Sequence, residues 1–124
     1  MKEIKDMEFG GERPLFASHD LKLVNVTIHA GESALKCCTD IVAEKCRFEG
    51  KYPFWHVDRF EVRDCLFTPG ARAALWYSRD LTMTDTLVEA PKMFREMDNH
   101  RFILIFNSFA RALRSFRLRG GSVV

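Results

Sequence analysis

The sequence predicts an all-β protein: a single-stranded right-handed parallel β-helix of about five coils, followed by a short C-terminal tail that is α-helical or irregular. Two observations predict the β-helix, namely a repeat of about 20 residues and short alternating apolar stretches inside each repeat. A third observation divides the chain. Composition changes abruptly near Asp98, which separates the repeats, residues 1–98, from a basic tail, residues 99–124.

Length and composition limit the protein to one small soluble domain. With 124 residues, 47% of them hydrophobic and 29% charged, the chain is neither disordered nor long enough for two domains. No apolar run reaches the roughly 20 residues that would span a bilayer. The first residues, MKEIKDMEF, are too charged for a secretion signal, so we expect a cytoplasmic location and reduced thiols at the four cysteines.

The repeat is the strongest signal in the chain. The strings LKLVNVTI, IVAEKCRF, FEVRDCLF and LTMTDTLV follow one another at steps of 20, 19 and 21 residues, and the residues around Ile4 and Phe9 add most of a fifth copy. The first and eighth positions are apolar in all four strings and should form vertical stacks in the core. These positions are Leu21, Ile28, Ile41, Phe48, Phe60, Phe67, Leu81 and Val88.

Other positions of the repeat predict where the chain bends and turns. The fifth position is polar, which suits a bend between two strands, and it holds Asn25, Lys45, Asp64 and Asp85. A small residue then marks a turn, and a second apolar stretch follows, in which Leu15, Leu35, Phe54 and Leu75 correspond. The period is too short for helix-pair repeats, and the recurring Asn of leucine-rich repeats is absent apart from Asn25, which favours the β-helix.

The strings GGERPLF, HAGESALK, EGKYPFWH, PGARAALWYS and EAPKMFREMD resemble a bacterial family of uncharacterised proteins, domain-of-unknown-function family 3737. The resemblance covers residues 1–98 and implies a right-handed β-helix of the pectin-lyase-like type, without a known activity. Family members continue with further coils after the segment like KMFREMD. The resemblance therefore implies that this chain is truncated or divergent after residue 98.

The tail has the spacing of an amphipathic helix over residues 102–118. Its apolar residues recur at steps of three and four, with arginines off the stripe, and Gly120 follows as a stop. Three interpretations remain open: a helix that caps the open end of the β-helix, a frame-shifted or truncated extension, and a helix that binds a membrane surface or a partner. The stripe consists of Phe102, Phe106, Phe109, Leu113 and Phe116.

The candidate binding residues lie in the second apolar stretch. Trp55 and Trp76 follow Phe54 and Leu75, so alternation places them on the opposite face from the core in adjacent coils. Such a pair of surface indoles would bind a sugar ring, with hydrogen bonds from His56, Arg72 and Tyr77. In the alternative interpretation the two indoles point inward, or pack under a loop, and only stabilise the coil.

A second candidate group is charged and lies on the last repeat, where Arg95 and Glu96 join Glu89, Lys92 and Asp98. Enzymes that cleave polysaccharides use such carboxylates and bases, but the acids of the other repeats are scattered one to a coil and favour a solvated face. The sequence thus predicts a non-enzymatic binding or structural module with a carbohydrate-binding strip. The alternative is a polysaccharide-active lyase or hydrolase.

Metal and cofactor sites have no sequence support. Cys46 and Cys65 share one core position in adjacent coils and are expected to be packed thiols, although the spacing would permit a disulfide. No Cys or His pair has metal-ligand spacing, and no glycine-rich phosphate loop precedes a helix. We therefore expect no metal, no cofactor and no nucleic-acid partner, and we expect that the open end of the β-helix offers a surface for homo-oligomers.

Overall fold

The protein is an all-β parallel solenoid, seen in a computed structural model that describes residues 1–92, 97–104 and 118–123. In the described part of the chain the strands are β1 Lys2–Lys5, β2 Glu8–Glu12, β3 His19–Val24, β4 Thr27–Glu32, β5 Thr39–Glu44, β6 Arg47–Phe48, β7 Asp58–Arg63, β8 Leu66–Phe67, β9 Arg79–Val88, β10 Met97–Leu104 and β11 Leu118–Val123.

Each strand pairs in parallel with the strand one repeat later, which builds two stacks. The first, sheet A, follows the order β1-β3-β5-β7-β9, and the second, sheet B, follows β2-β4-β6-β8-β9. The long strand β9 belongs to both stacks, because it runs through the bend position. The register Leu21↔Ile41↔Phe60↔Leu81 is the one that the repeat predicts, so the parallel stacking is confirmed.

The number of turns is smaller than predicted. The described residues form about four turns, whereas the sequence suggested about five coils. The first copy of the repeat accounts for the difference. It pairs on one side only, and its Ile4, Phe9 and Leu15 are only partly buried against the core.

The predicted core is confirmed. All eight residues expected to stack inside the solenoid are 4% exposed or less. Phenylalanine rings fill the middle coils, where Phe48 stacks on Phe67 with centroids 4.9 Å apart and meets Phe54 edge-on at 5.0 Å. Because each coil contributes the same kind of side chain at the same height, the core is a set of like-on-like columns.

The predicted bends adopt the left-handed backbone conformation. Asn25, Lys45, Asp64 and Asp85 have φ angles of 52°, 54°, 50° and 49°, and Asp6 in the first copy has 55°. Asn and Asp are the non-glycine residues that enter this region most readily, which explains the polar fifth position. At the small-residue turn the reason is space, since a Cβ on Gly31 would lie 2.2 Å from the carbonyl oxygen of Gly11.

Thr86 is the one polar residue in the sixth position of the repeat, and the structure explains it. Its hydroxyl oxygen accepts a hydrogen bond of 3.4 Å from the backbone N–H of Cys65, one coil earlier. The sulfur of Cys65 accepts from the N–H of Cys46 in the same way, also at 3.4 Å. A hydroxyl or thiol at this position therefore satisfies a buried backbone donor of the previous coil.

The predicted helix of the tail is wrong where it can be compared. Phe102 to Leu104 belong to β10, which pairs in parallel with β9, and Leu118 belongs to β11. The edge of β9 offers unpaired backbone groups, and a strand that bonds to them outweighs the helical spacing of the side chains. Residues 105–117 of the predicted helix lie outside the described residues. Within the described chain, no helix has the length and apolar character needed to span a bilayer.

Candidate functional site

The candidate site lies on the third side of the solenoid, where β-turns connect the end of sheet B to the start of sheet A. We call this side the turn face; it consists of residues 13–18, 33–38, 52–57 and 73–78. The first two turns are closed within their own coils, as by the N–H of Lys36 to the carbonyl of Ser33 at 3.2 Å. Bonds between coils tie the turns into a regular stack, as by the N–H of His56 to the carbonyl of Trp76 at 3.2 Å.

Two positions in each turn are left-handed and fix the direction of the side chains between them. The first residue of each turn is one of them and includes Ser33, Tyr52 and Ala73, with φ angles of 55°, 55° and 53°. The fifth residue is the other, and it is Ala17, Cys37, His56 or Tyr77, with φ angles of 57°, 60°, 55° and 59°. Between these two positions, Phe16, Lys36, Trp55 and Trp76 occupy one position of successive coils, as the sequence predicts.

Five rings form one cluster on the turn face, which we call the aromatic cluster: Tyr52, Trp55, His56, Trp76 and Tyr77. Trp55 is central, because its ring centroid lies 5.6 Å from that of Trp76 and 5.2 Å from those of Tyr52 and Tyr77. The imidazole of His56 stacks on the phenol of Tyr77, with centroids 5.2 Å apart and planes 14° apart. The cluster therefore spans two adjacent coils without interruption.

The cluster faces outward. Phe54 and Leu75, one position before the two tryptophans, are fully buried, whereas Trp55, Trp76, Tyr52 and Tyr77 are half-buried and His56 is exposed. The interpretation in which the indoles point into the core is therefore wrong. The chain has two tryptophans and two tyrosines, and all four lie in this cluster.

Trp76 is held in a fixed orientation. Its indole Nε1 donates a hydrogen bond of 2.7 Å to the backbone carbonyl oxygen of Lys92, one coil later. That bond restricts rotation of the indole about its side-chain torsions, and the neighbouring ring of Trp55 packs against an ordered surface. Such preorganisation lowers the entropy that a ligand would lose on binding.

The other residues of the predicted site divide into two groups. Arg72 is exposed and lies immediately before the turn, and its backbone carbonyl accepts the N–H of Tyr52 at 3.0 Å. Arg95 and Glu96 lie outside the described residues. The enzymatic alternative depends on these two side chains, so the described residues do not test it. Tyr52 was not predicted. The signal that could have found it is its place three residues before Trp55, at the start of the same turn.

Several charged side chains elsewhere on the surface pair with one another across coils. Asp40 is bound by Arg59 at 2.8 Å, and this guanidinium holds the pKa of the Asp40 carboxyl below its usual range. A shallow depression of about 370 Å³ over β5, β7 and β9 is lined by this same pair. Such exposed pairs contribute little to stability.

A polar cluster on sheet B joins three coils. His29 bonds to Glu8 in the coil before it and, at 3.1 Å, to Glu49 in the coil after it, while Arg47 donates to Glu49 at 2.6 Å. The two carboxylates, Glu8 first and then Glu49, raise the pKa of His29. Among the described residues, no three His, Cys, Asp or Glu side chains lie close enough to share a metal ion.

The four cysteines are free thiols, three of them buried and Cys37 exposed on the turn face. Cys46 and Cys65 are 3% and 4% exposed, so the prediction of two packed thiols is confirmed. Burial raises the pKa of Cys38 to about 11.

Comparison with known proteins gives the chain a family and no activity. A search of curated proteins and a search of solved structures found no match. A family model described as "Protein of unknown function (DUF3737)" matches residues 2–108. Because the match covers most of the 124 residues and includes every coil of the solenoid described above, the chain belongs to the DUF3737 family.

Proposed function

We propose that the protein is a carbohydrate-binding module and that the aromatic cluster is its binding surface. The single observation that carries this proposal is that both tryptophans and both tyrosines of the chain lie together on one outer face, while its largest buried side chains are phenylalanines and aliphatic residues. Indole and phenol rings combine a broad apolar face with a polar edge, which suits a partner of the same amphipathic character.

A pyranose ring has that character. Its axial C–H bonds form an apolar face, and its hydroxyl groups form a polar rim. The ring of Trp55 would pack against the apolar face of the sugar. The ring centroids of His56 and Tyr77 lie 6.4 Å and 5.2 Å from that of Trp55, so both side chains are near enough to bond the hydroxyl groups. The tilt of 36° between the two indoles makes the surface concave or stepped, which favours a bent oligosaccharide over a flat crystalline one.

Intrinsic fluorescence tests the proposal directly, because both emitting tryptophans lie in the cluster. Titration with a panel of oligosaccharides should give a saturable change in emission, confirmed by calorimetry. Trp55→Ala should weaken binding about tenfold or more. Phe16→Ala is the matched control, because Phe16 is an exposed ring of the same row two coils away, and it should leave the affinity unchanged.

The competing explanation is that the aromatic cluster only stabilises the turns. In that case no oligosaccharide changes the emission, and Trp55→Ala lowers the free energy of unfolding with no binding to lose. Far-UV circular dichroism of each variant separates a loss of binding from a loss of folding.

We also propose that the solenoid is right-handed and pectin-lyase-like, and that the bacterial protein is cytoplasmic. Crossovers between parallel strands are right-handed in nearly all proteins, and four free thiols fit a reducing compartment.

The half-buried Ile4 and Phe9 of the first coil are the surface on which we expect a homo-oligomer to form. A crystal structure would establish the hand, and light scattering would establish the oligomeric state.

A further inference from the structure

The turn face is basic around the aromatic cluster. The three turn segments 33–38, 52–57 and 73–78 contain no Asp or Glu. Cations lie within these turns or beside them: Lys36 one coil before Trp55 in the same row, Lys51 and Arg72 immediately before successive turns, and Lys92 directly after Pro91, the residue that corresponds to Arg72 in the next coil.

The sign of the charge changes along the solenoid where the aromatic cluster begins. The residue before the turn is Glu12 in the first coil and Glu32 in the second, and these two pair in register. In the next two coils the same position holds Lys51, which bridges to Glu32, and Arg72. The basic end of this row therefore lies beside the coils that carry Trp55 and Trp76.

Hydrogen bonds to their backbone carbonyls place two of these cationic residues next to residues of the cluster. The carbonyl of Arg72 accepts the N–H of Tyr52 at 3.0 Å, and the carbonyl of Lys92 accepts the indole N–H of Trp76 at 2.7 Å. Both cationic side chains belong to exposed residues. A third cation, Lys51, lies 5.7 Å from the centroid of the Tyr52 ring.

Two carboxylates beside this face are paired. Glu32 lies 3.9 Å from the ammonium of Lys51, and Asp58, just after the turn of Trp55, lies 3.3 Å from the guanidinium of Arg79. Lys36, Arg72 and Lys92 form no ion pair with the described residues, so an anionic group that approached the aromatic cluster would be attracted by their charge.

We propose that the saccharide bound by the aromatic cluster is anionic, carrying carboxylate, sulfate or phosphate groups, and that Arg72 and Lys92 bind these groups while Trp55 packs against the sugar ring. The inference rests on the proposed carbohydrate binding and adds the chemical class of ligand. A guanidinium binds such oxyanions through two parallel hydrogen bonds, which makes Arg72 the stronger of the two contacts.

Two oligosaccharides of equal length test the inference: a β-1,4-linked oligoglucuronate and the corresponding neutral cello-oligosaccharide, which differ only in the oxidation of C6. We expect the acidic ligand to bind about tenfold more tightly. Arg72→Gln should remove most of that difference and Lys92→Gln a smaller part of it, and both variants should keep the affinity for the neutral ligand unchanged. Lys5→Gln removes the same charge from β1, outside the turn face, and serves as the control. A sulfated and a phosphorylated oligosaccharide of the same length identify the preferred anion.

Each other outcome overturns a stated part of the proposal. Equal or tighter binding of the neutral ligand overturns the anionic class and leaves carbohydrate binding intact. Absence of binding by every saccharide overturns both. Acidic binding that Lys5→Gln weakens as much as Arg72→Gln, or that Trp55→Ala does not affect, shows adsorption of a polyanion by overall charge. If a single-stranded oligonucleotide of equal charge binds more tightly, the aromatic cluster binds nucleic-acid bases and not sugars.

Discussion

The hydroxyl oxygen of Ser78 accepts a hydrogen bond of 3.1 Å from the backbone N–H of Val57, one coil earlier. The same hydroxyl donates its proton to the carbonyl oxygen of Phe54, 2.6 Å away. Ser78 is completely buried, so no water can replace it in either bond. Two coils earlier in the same row, the sulfur of Cys38 accepts the N–H of Ser18 at 3.2 Å, which shows that a thiol fills the same role.

The first prediction follows from that equivalence. Ser78→Ala should lower the free energy of unfolding by about 1–3 kcal/mol, because it leaves a buried donor and a buried acceptor unpaired. Ser78→Cys keeps a side-chain acceptor, so its free energy of unfolding should fall clearly less than that of Ser78→Ala. Urea unfolding followed by far-UV circular dichroism measures both variants, and equal losses would show that volume, not hydrogen bonding, is decisive.

The second prediction concerns the core columns. Phe48→Ala should cost about 3–5 kcal/mol, because Phe48 is fully buried and its ring contacts those of Phe54 and Phe67. Phe16→Ala removes the same atoms at a position that is 48% exposed and should change stability by no more than about 0.5 kcal/mol. Chemical denaturation measures both variants. Equal free energies of unfolding for Phe48→Ala and Phe16→Ala would contradict the assignment of Phe48 to the core.

The third prediction concerns thiol reactivity. Of the four cysteines, exposed Cys37 should react rapidly with a bulky disulfide reagent in native buffer, and the three buried thiols should react only on unfolding. Burial raises the pKa of Cys38, and contact with Cys46 together with burial raises the pKa of Cys65, so both remain protonated. Cys37→Ser should abolish the fast phase. Native labelling of Cys46 or Cys65 would be incompatible with this packing.

The fourth prediction concerns pH. Hydrogen bonds that the imidazolium of His29 donates to Glu8 and Glu49 raise its pKa above 6.5, so the folded state binds the proton more tightly than the unfolded state does. The resulting stabilisation is complete below pH 6.5 and is lost as the pH rises through the folded-state pKa. Proton NMR should give a lower His29 pKa in Glu8→Gln and in Glu49→Gln. A pKa unchanged in both variants would show that the imidazole does not sense these carboxylates.

The repeat was sufficient to predict the coils, their register and their core. Columns such as Leu21–Ile41–Phe60–Leu81 follow from spacing alone, because parallel stacking places equivalent residues one above another. The polar fifth position likewise indicated bends, since a residue such as Asn25 enters the left-handed region at low cost.

Three features could not be predicted, each for a physical reason. Alternation favours an outer position for Trp55 and Trp76 but does not continue reliably across a turn, so the choice between the outward and the inward orientation needed the structure. The role of Thr86 in an otherwise apolar column was hidden, because the backbone donor that it satisfies belongs to another coil. In the tail, the spacing of Phe102 and its successors was helical, but the free edge of β9 determines the conformation of residues 97–104.

The near-constant step of 19 to 21 residues between bonded positions has a consequence for how the protein folds. Pairing one coil with the next closes a loop of the same length wherever it happens, and the entropy lost is nearly the same for each closure. Every strand pairs with one that is close to it in sequence, whereas a β-sandwich also pairs strands that are far apart in sequence. Folding can therefore begin at any two adjacent coils and extend from them in both directions, one coil at a time.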